Sequence, residues 1–345
     1  MSEKEMRFEK TVVSTRIRLA RNLAGYPFPS SMTEKQADEV AIIAKSALEH
    51  SLSRGSWKQF DMRTLSRSQA MLLQEQHLVS PALVDAGKGL AFVDGDENIS
   101  VMVNEEDHLR LQYIVKGLKL EKAYERISLL DDKMGRFMNY AYEDRLGFLT
   151  ACPSNVGTGM RASVMMFLPA LERKNAIGEL VKKWSECGLT VRGVFGEGTA
   201  AEGYRYQISN DKTLGLTEEE ILEYMHSAIT EIALAEEEER KKMIARDGLR
   251  LRDAALRSYG VLTNCARLEY KEMRDMLTQV KLGVALGVFE ISKSDPYVLD
   301  AFIDQVRPYS FCDEFELFDA SQQDRDIRRA EIVGTILPTL VQKAD

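Results

Sequence analysis

Two arginines near the start of the chain have the spacing of anion-binding groups. Arg16 and Arg18 lie in the segment S-T-R-I-R-L-A-R-N, and side-chain alternation along an extended strand places both guanidinium groups on one side. Two cations on one face need anions to balance them, and planar guanidinium groups suit phosphate. A surface strand with solvated arginines is the alternative, and this segment alone does not decide between the two.

Three acidic residues follow one another in the segment N-E-E-D-H-L-R. Glu105, Glu106 and Asp107 come directly after an apolar run that is rich in strand-forming residues. Adjacent carboxylates repel one another and cost stability unless they share a cation or a proton. The segment is therefore either a solvated turn or, at a strand end, a cradle for a cation or a guanidinium group.

A third segment, C-P-S-N-V-G-T-G-M-R-A-S-V, runs from Cys152 through Arg161 into an apolar stretch. Its glycines permit close approach of a ligand to the backbone, and Arg161 adds positive charge. The chain contains no G-x-x-x-x-G-K-[ST] phosphate loop, and Ala201 stands where a dinucleotide fingerprint starting at Gly196 needs a third glycine. Arginines are therefore expected to hold any phosphate.

Strands and helices must position these segments. The apolar pattern predicts a helix at residues 32–52, a strand pair at 89–93 and 99–103, and a second pair at 189–195 and 204–208. The glycine-rich residues 196–203 between the second pair predict a mobile loop over a site.

The last part of the chain has helical periodicity. Thr217 and Glu220 form a capping box, which predicts the start of a long helix, and residues 248–282 and 300–306 also have helical patterns. The last hundred or so residues are therefore expected to form an all-helical unit. The charge run at 236–242 is more typical of a solvated helix than of a binding patch.

Composition limits the classes of function. With 345 residues, 44% of them hydrophobic and 29% charged, the chain fits two globular domains. A net charge of -8 argues against direct nucleic-acid binding. Four cysteines without a C-x-x-C pair favour a reduced, cytoplasmic setting, and neither a signal peptide nor a membrane-spanning run is expected.

In this order, the three segments resemble the guanidino (phosphagen) kinases, the family of creatine and arginine kinases, over roughly residues 11–240. The resemblance implies an α+β fold: a glutamine-synthetase-like catalytic domain at 11–243, with an antiparallel β-sheet flanked by helices, and an all-helical domain at 244–345 for dimerisation and phosphoarginine binding. It implies transfer of the ATP γ-phosphate, with Mg²⁺, to a guanidinium group.

The resemblance also assigns nucleotide-binding residues. The arginines expected around the ATP phosphates are Arg16, Arg18, Arg110, Arg161 and Arg192. His77 resembles the histidine that packs on adenine, although a lone histidine at a helix edge is the alternative. The other nucleotide-contacting positions are Ser14, Thr15, Ile17, Ala162, Ser163, Val164, Met165, Gly193, Val194, Phe195 and Gly196. Small-molecule enzymes commonly have His where Met165 stands, so this chain departs from the family pattern at one adenine contact.

Four residues resemble the family's catalytic groups. Glu106 is similar to the carboxylate that binds the substrate guanidinium, with Glu105 beside it, and Glu197 is similar to its partner on the loop. Such carboxylates can draw a proton from the guanidinium and fix the attacking nitrogen in line with the phosphate. Cys152 matches the family's reactive thiol.

Features at both ends of the chain resemble the bacterial protein-arginine kinases. Arg16 lies close to the N-terminus, so the helical domain that precedes it in creatine and arginine kinases is expected to be absent, which would open the site to arginines of proteins. The segment D-R-D-I-R-R-A matches a motif that binds phosphoarginine as an allosteric signal, through Arg325, Asp326, Arg329 and Ala330. A surface helix with paired charges is the alternative.

This resemblance implies partners and a role. The expected partners are protein substrates with exposed arginine, the zinc-binding activator McsA, a heat-shock repressor, the ClpC–ClpP protease and a second copy of the chain. The role would be to mark proteins for degradation in the stress response. A small-molecule guanidino kinase and an inactive phosphoarginine-binding adaptor are the two alternative functions.

Overall fold

The computed structural model describes residues 8–51, 57–95, 98–193 and 202–344. Eight strands within these ranges form one sheet in the order β2-β3-β4-β5-β1-β8-β10-β9, and every neighbouring pair is antiparallel. Their bounds are β1 Val12–Arg21, β2 Trp57–Asp61, β3 Leu90–Asp94, β4 Ile99–Val103, β5 Leu109–Lys116, β8 Met160–Phe167, β9 Leu189–Gly193 and β10 Arg205–Asn210. The short strands β6 Tyr142–Glu143 and β7 Gly147–Phe148 pair separately.

The helices of the described ranges surround this sheet and continue beyond it. Their bounds are α1 Glu34–Ser51, α2 Arg67–Glu75, α3 Pro81–Ala86, α4 Leu120–Gly135, α5 Pro169–Arg173, α6 Ile177–Glu186, α7 Glu218–Leu262, α8 Tyr270–Ala285, α9 Val298–Gln305, α10 Pro308–Glu314 and α11 Gln322–Leu340. None of these helices, within the ranges described, is both long and apolar enough to cross a bilayer.

One face of the sheet packs on helices and forms the main core. Ile17 of β1 and Val164 of β8 point to this face and are fully buried. They belong to the same apolar cluster as Ile127 of α4 and Ile229 of α7. Burial on one face leaves the alternate residues of each strand on the other face, which is where polar side chains can form a site.

The C-terminal unit, residues 248–344, has a separate apolar core. Phe289 and Val341 are buried in this core and lie in β11 Phe289–Ile291 and β12 Val341–Lys343, which pair antiparallel. The expectation of an all-helical unit is therefore wrong in this detail. The pairing of β11 with β12 provides backbone hydrogen bonds for the segment that follows α11, while Phe289 and Val341 stay buried.

Most sequence-based elements correspond to observed ones, but two expectations are wrong. The helix predicted at 248–282 is divided between α7, which ends at Leu262, and α8, which begins at Tyr270. The charge run at 236–242 is only partly solvated, because Glu236 and Arg240 are buried. The helix predicted at 32–52 is α1, the first strand pair is β3 with β4, and the second is β9 with β10 as far as the structure describes it. Thr217 caps α7 and forms the predicted capping box with Glu220. Helix α7 continues through the predicted domain boundary at 243, and Asp247 has non-helical backbone angles there. The division at that residue stays a prediction.

Candidate active site

Strand register places the five predicted arginines on one face of the sheet. In β1, Arg18 pairs with Arg161 of β8 on one side and with Gln112 of β5 on the other. Directly paired residues share a face, and residues two apart along a strand share it too. Arg16 therefore joins Arg18, and Arg110 joins them from β5. The same reasoning through Met165 and Gln207 brings in Arg192 of β9.

These guanidinium groups repel one another. Burial lowers the pKa of Arg16 to about 10, and the charges of Arg110 and Arg161 contribute. Burial is the largest cause that lowers the pKa of Arg18. The charges of Arg16, Arg110 and Arg161 lower this pKa further, while the charge of Glu105 raises it. The Nε of Arg18 is buried and meets no acceptor among the described residues. A polyanion on this face would relieve the repulsion.

Polar neighbours orient two of the arginines. Arg16 donates from Nη2 to Oε1 of Gln207 over 2.9 Å, and Arg161 donates from Nη2 to Oγ of Ser209 over 3.0 Å. Both acceptors lie on β10 and are uncharged, so they fix the geometry without neutralising the cations. The sequence analysis missed both residues. Gln207 lies in the strand predicted at 204–208, and Ser209, two residues further, lies just beyond it.

The turn between β4 and β5 gives its three acidic residues different environments. Arg110 donates from Nη1 to both carboxylate oxygens of Glu105, at 2.8 and 2.9 Å, and Ser80 also donates to Glu105. Burial tends to raise the pKa of Glu105, but Arg110 and Ser80 outweigh it, so the pKa is lowered. Glu105 therefore stays ionised and positions Arg110.

Glu106 is the exposed carboxylate of this turn. Partial burial raises its pKa, and the charges of Asp107 and Glu105 add to this effect. Arg110 and a hydrogen bond with the thiol of Cys152 act in the opposite direction. A carboxylate with a raised pKa at the edge of a cationic face is suited to accept a proton.

Asp107 and His108 belong to the scaffold beneath the turn. Asp107 is 2% exposed and accepts from Nδ2 of Asn22 over 2.6 Å and from the amide of Ala151 over 2.7 Å. The ring of His108 accepts at Nδ1 from the amide of Leu23 and lies 2.8 Å from a carbonyl at Nε2. Asn22 thus joins the end of β1, the acidic turn and the segment leading to Cys152.

Replacing Asn22 with alanine should lower the free energy of unfolding by about 1–3 kcal/mol, because the buried carboxylate of Asp107 loses a donor. Asn22 also donates to the carbonyl of Leu149 and accepts from the amide of His108, so the acidic turn should loosen as well. Denaturant titration measures the loss. Asn139→Ala, at an exposed position, is the control. Equal stability of the two variants would contradict this role of Asn22.

A cavity of about 970 Å³ lies against the arginine face. Its lining includes Ser14, Arg16, Arg18, His77, Glu105, Glu106, Arg110, Cys152, Arg161, Ser163, Met165, Arg192 and Gly193. The structure therefore brings most of the predicted site residues to one volume. The thiol of Cys152 lies 3.0 Å from Oγ of Ser154.

Some predicted residues lie elsewhere. Thr15, Ile17, Ala162 and Val164 alternate with the cavity-lining residues and are buried on the opposite face. Their side chains cannot line the cavity, so any contribution to nucleotide binding would come from their backbone. Predictions for Val194, Phe195, Gly196 and Glu197 fall outside the described residues.

The predicted phosphoarginine residues lie on α11, in the C-terminal unit. Asp326 and Arg329 are almost fully buried and form an ion pair of 2.8 Å, and Arg267 also pairs with Asp326. Arg325 donates to the carbonyls of Leu317 and Phe318. Ala330 is buried beside them. These contacts give the segment a structural role, and phosphoarginine binding stays a prediction.

Two family models match the chain. Residues 39–239 match the family model of the ATP:guanido phosphotransferase C-terminal catalytic domain, and residues 248–344 match that of the protein-arginine kinase McsB C-terminal domain. A protein-arginine kinase of Caldanaerobacter subterraneus subsp. tengcongensis is 37% identical over 96% of this chain and 98% of its own. One from Halothermothrix orenii is 40% identical over 94% of this chain and 93% of its own.

The chain belongs to the family of protein-arginine kinases. Solved guanidino kinases share the fold of the catalytic part. A duplicated taurocyamine kinase from Schistosoma mansoni superposes with a TM-score of 0.59 at 30% identity, covering 68% of this chain and 35% of that one. A lombricine kinase superposes with a TM-score of 0.58 at 29% identity over 66% of each chain. The predicted family, fold class and enzyme class are confirmed.

Proposed function

We propose that this protein transfers the γ-phosphate of ATP to the guanidinium group of arginine side chains in other proteins. The proposal rests on the mutually repelling arginines on one face of the sheet, which lie beside the exposed Glu106, whose pKa is raised. These arginines are called the arginine wall and are Arg16, Arg18, Arg110, Arg161 and Arg192. Anion-binding groups and a proton acceptor on one cavity are the minimum that phosphoryl transfer to a guanidinium requires.

The reaction has two requirements that these groups meet. A free guanidinium has a pKa above about 12, so it attacks phosphorus poorly until a proton is withdrawn. Glu106 can take that proton as the new N–P bond forms and the bond from the γ-phosphorus to the bridging oxygen breaks, releasing ADP. The arginines stabilise the charge that develops on the transferring group. Glu197 is proposed as the second carboxylate.

The side chains that could coordinate a metal ion determine how Mg²⁺ could bind. Among the described residues, no group of three His, Cys, Asp or Glu could hold a metal ion. Mg²⁺ usually keeps several waters and binds substrate phosphates with one or two carboxylates. We therefore propose that Mg²⁺ arrives on the nucleotide and neutralises phosphate charge, while Glu105 and Glu106 lie within the same cavity.

The experiment offers Mg-ATP with free arginine, creatine and a basic protein in parallel, and locates the phosphate by mass spectrometry under non-acidic conditions. Phosphoarginine on the protein is the expected result. Phosphate on free arginine alone would favour a small-molecule guanidino kinase, the activity class of the solved structures. No transfer to any acceptor, together with binding of phosphoarginine, would favour the inactive adaptor.

The remaining proposals concern the location, the oligomeric state and the partners of the protein, and they are based on what the family resemblance implies. We propose that the protein acts in the cytoplasm as a homodimer, with McsA as activator, a heat-shock repressor among its substrates and ClpC–ClpP as the protease that removes marked proteins. Pull-down of the protease with phosphorylated and with unphosphorylated substrates tests whether it recognises marked proteins. Capture of equal amounts of protease by the two substrates would contradict this. Light scattering tests the dimer.

We propose that phosphoarginine also binds at Arg325 and Asp326 as an allosteric ligand. Because Asp326 is buried and paired with Arg329, binding would have to exchange that ion pair for one with the ligand's guanidinium. Calorimetric titration with free phosphoarginine tests this, with Asp324→Asn as the control at an exposed position of the same helix. Unchanged binding by Asp326→Asn would contradict the proposal.

A further inference from the structure

The C-terminal unit forms part of the wall of the active-site cavity. Tyr270, Tyr297, Asp304 and Arg307 line the same volume as the phosphate-facing arginines and His77. Tyr270 is the first residue of α8, and Tyr297 directly precedes α9. Asp304 lies in the last turn of α9, and Arg307 directly precedes α10. A cavity that needs both units is complete only when they are docked.

Arg307 makes the contact that reaches His77. Its Nη1 donates to the carbonyl of Glu75 over 3.0 Å and lies 3.2 Å from Nε2 of His77. Its Nη2 lies 2.9 Å from Oδ1 of Asp304. A guanidinium can only donate, so Nε2 of His77 must accept, and the ring carries its proton on Nδ1.

The backbone of His77 is held by the end of α2 and by the sheet. It lies in the left-handed region with φ of 62°, and its amide donates to the carbonyl of Gln74 over 3.0 Å. Its carbonyl accepts from Nε2 of Gln112, which pairs with Arg18 in the β1–β5 register. Helix α2 and the sheet therefore fix the position of the His77 backbone, whereas Arg307 fixes the orientation and the protonation of its ring.

Two further contacts hold Arg307 in place. Glu75 accepts from the amides of Tyr309 and Ser310 over 2.9 and 2.8 Å, so the end of α2 caps the start of α10. Asp304 lies 2.8 Å from Nη1 of Arg205, on the strand that also carries Gln207 and Ser209. Arg205 is 8% exposed, and Asp300 is its second acidic partner.

We propose that Arg307 is a positioning residue for the nucleotide: it orients the His77 ring, so that the C-terminal unit completes the base-binding end of the cavity. The inference rests on the proposed function and on the contact between His77 and adenine that the family resemblance implies. Burial lowers the pKa of His77 to about 4, and Arg307, Arg16 and Arg205 add to this effect against Asp304. The ring is therefore neutral near pH 7, as the contact with Arg307 requires.

The experiment compares two ligands that share phosphates and differ in the base. In Arg307→Ala, affinity for ADP measured by calorimetry should fall about tenfold, as expected for loss of a hydrogen bond from a charged group. Affinity for inorganic tripolyphosphate should not change, because the arginine wall is intact. The KM for ATP should rise by a similar factor, with kcat within about twofold, and Arg307→Lys should restore part of the ADP affinity.

Asp295→Asn is the matched control, because it removes another contact between the two units. Lys116 pairs with Asp295 over 2.8 Å at a half-exposed position, and Asp295 does not line the cavity. This variant should bind both ligands as the parent does. If Arg307→Ala lost both ligands equally, or if Asp295→Asn lost ADP, the contact would serve docking alone and the inference would be overturned.

A double-mutant cycle tests whether Arg307 acts through His77. His77→Ala should lower ADP affinity, and adding Arg307→Ala should lower it little further, because one interaction is lost in both. Additive losses would overturn the inference. If the variants failed to fold, nitrogen NMR of the parent still decides, because the Nε2–H tautomer of His77 would contradict the contact.

The outcomes for this inference and for the proposed function are separable. A parent protein that neither binds ADP nor transfers phosphate would contradict the proposed function. A parent that does both, with an Arg307→Ala variant that keeps its ADP affinity, would contradict the role of Arg307 alone.

Discussion

Replacing Glu106 with glutamine is expected to lower the rate of phosphate transfer to arginine by about 10²–10⁴-fold, the range for loss of a general base. Glutamine keeps the size of the side chain and its hydrogen-bonding oxygen, but it cannot accept the guanidinium proton. Glu106 is the exposed carboxylate of the acidic turn, whereas Glu105 is paired with Arg110 and Asp107 is buried. Affinity for ADP should stay within about twofold, because Glu106 does not orient the arginines.

The pH dependence supplies a second measurement. Glu106 must be ionised to accept a proton, and burial together with Asp107 and Glu105 raises its pKa above the ordinary value for glutamate. The rate of the parent should therefore fall as the pH drops through this raised pKa, and the acid limb of the profile should lie above the usual glutamate range. In Glu106→Gln this limb should disappear, because the group that titrates is gone.

Glu125→Gln is the matched control for this substitution. Glu125 is exposed on α4, and the same change of charge there should leave both the rate and the profile unaltered. Initial rates of phosphoarginine formation on a protein acceptor decide the matter. A Glu106→Gln enzyme as fast as the parent would remove Glu106 from the catalytic residues.

The cluster of arginines in the site could be predicted in part from the sequence. Alternation along β1 places Arg16 and Arg18 on one face, and this is visible in a single segment. Whether Arg110, Arg161 and Arg192 share that face depends on strand register, which is set by pairing between residues far apart in the chain. The family resemblance identified these arginines as a set, and only the register explains how they meet.

The acidic turn shows where sequence reasoning ended. The family resemblance singled out Glu106, but the three adjacent acids by themselves gave no basis for dividing their roles, because their partners lie in distant segments. Ser80 binds Glu105, while Asn22 and Ala151 bind Asp107. The position of Arg307 at the cavity could not be predicted from the sequence either. Arg307 reaches the cavity only because the two units are docked, and it belongs to none of the motifs.

Replacing Arg18 with methionine is expected to have opposite effects on activity and stability. The rate of transfer should fall about 10²–10³-fold, the usual cost of removing one group that stabilises transition-state charge. The free energy of unfolding of the unliganded protein should rise by about 1–4 kcal/mol, because a hydrophobic side chain replaces a buried charge that its neighbours repel.

The physical reason is the set of charges around Arg18. Burial disfavours its charged form, the charges of Arg16, Arg110 and Arg161 add to this, and Glu105 offsets only part of the effect. Its buried Nε meets no acceptor in the part of the chain that the structure describes. The charges that are proposed to bind a polyanion therefore destabilise the unliganded site. For this reason activity and stability oppose one another at Arg18.

Unfolding by denaturant with and without ADP measures both effects. ADP should stabilise the parent strongly and Arg18→Met weakly. A ligand that binds only the folded state stabilises it by RT ln(1 + [L]/Kd), which is smaller when the dissociation constant is larger. Arg126→Met, at an exposed position of α4, is the control and should change stability by less than about 0.5 kcal/mol. If Arg18→Met lowered the stability of the unliganded protein, the charge of Arg18 would already be compensated there. The arginine wall would then be a structural network, and phosphate binding would have to be sought elsewhere on the cavity.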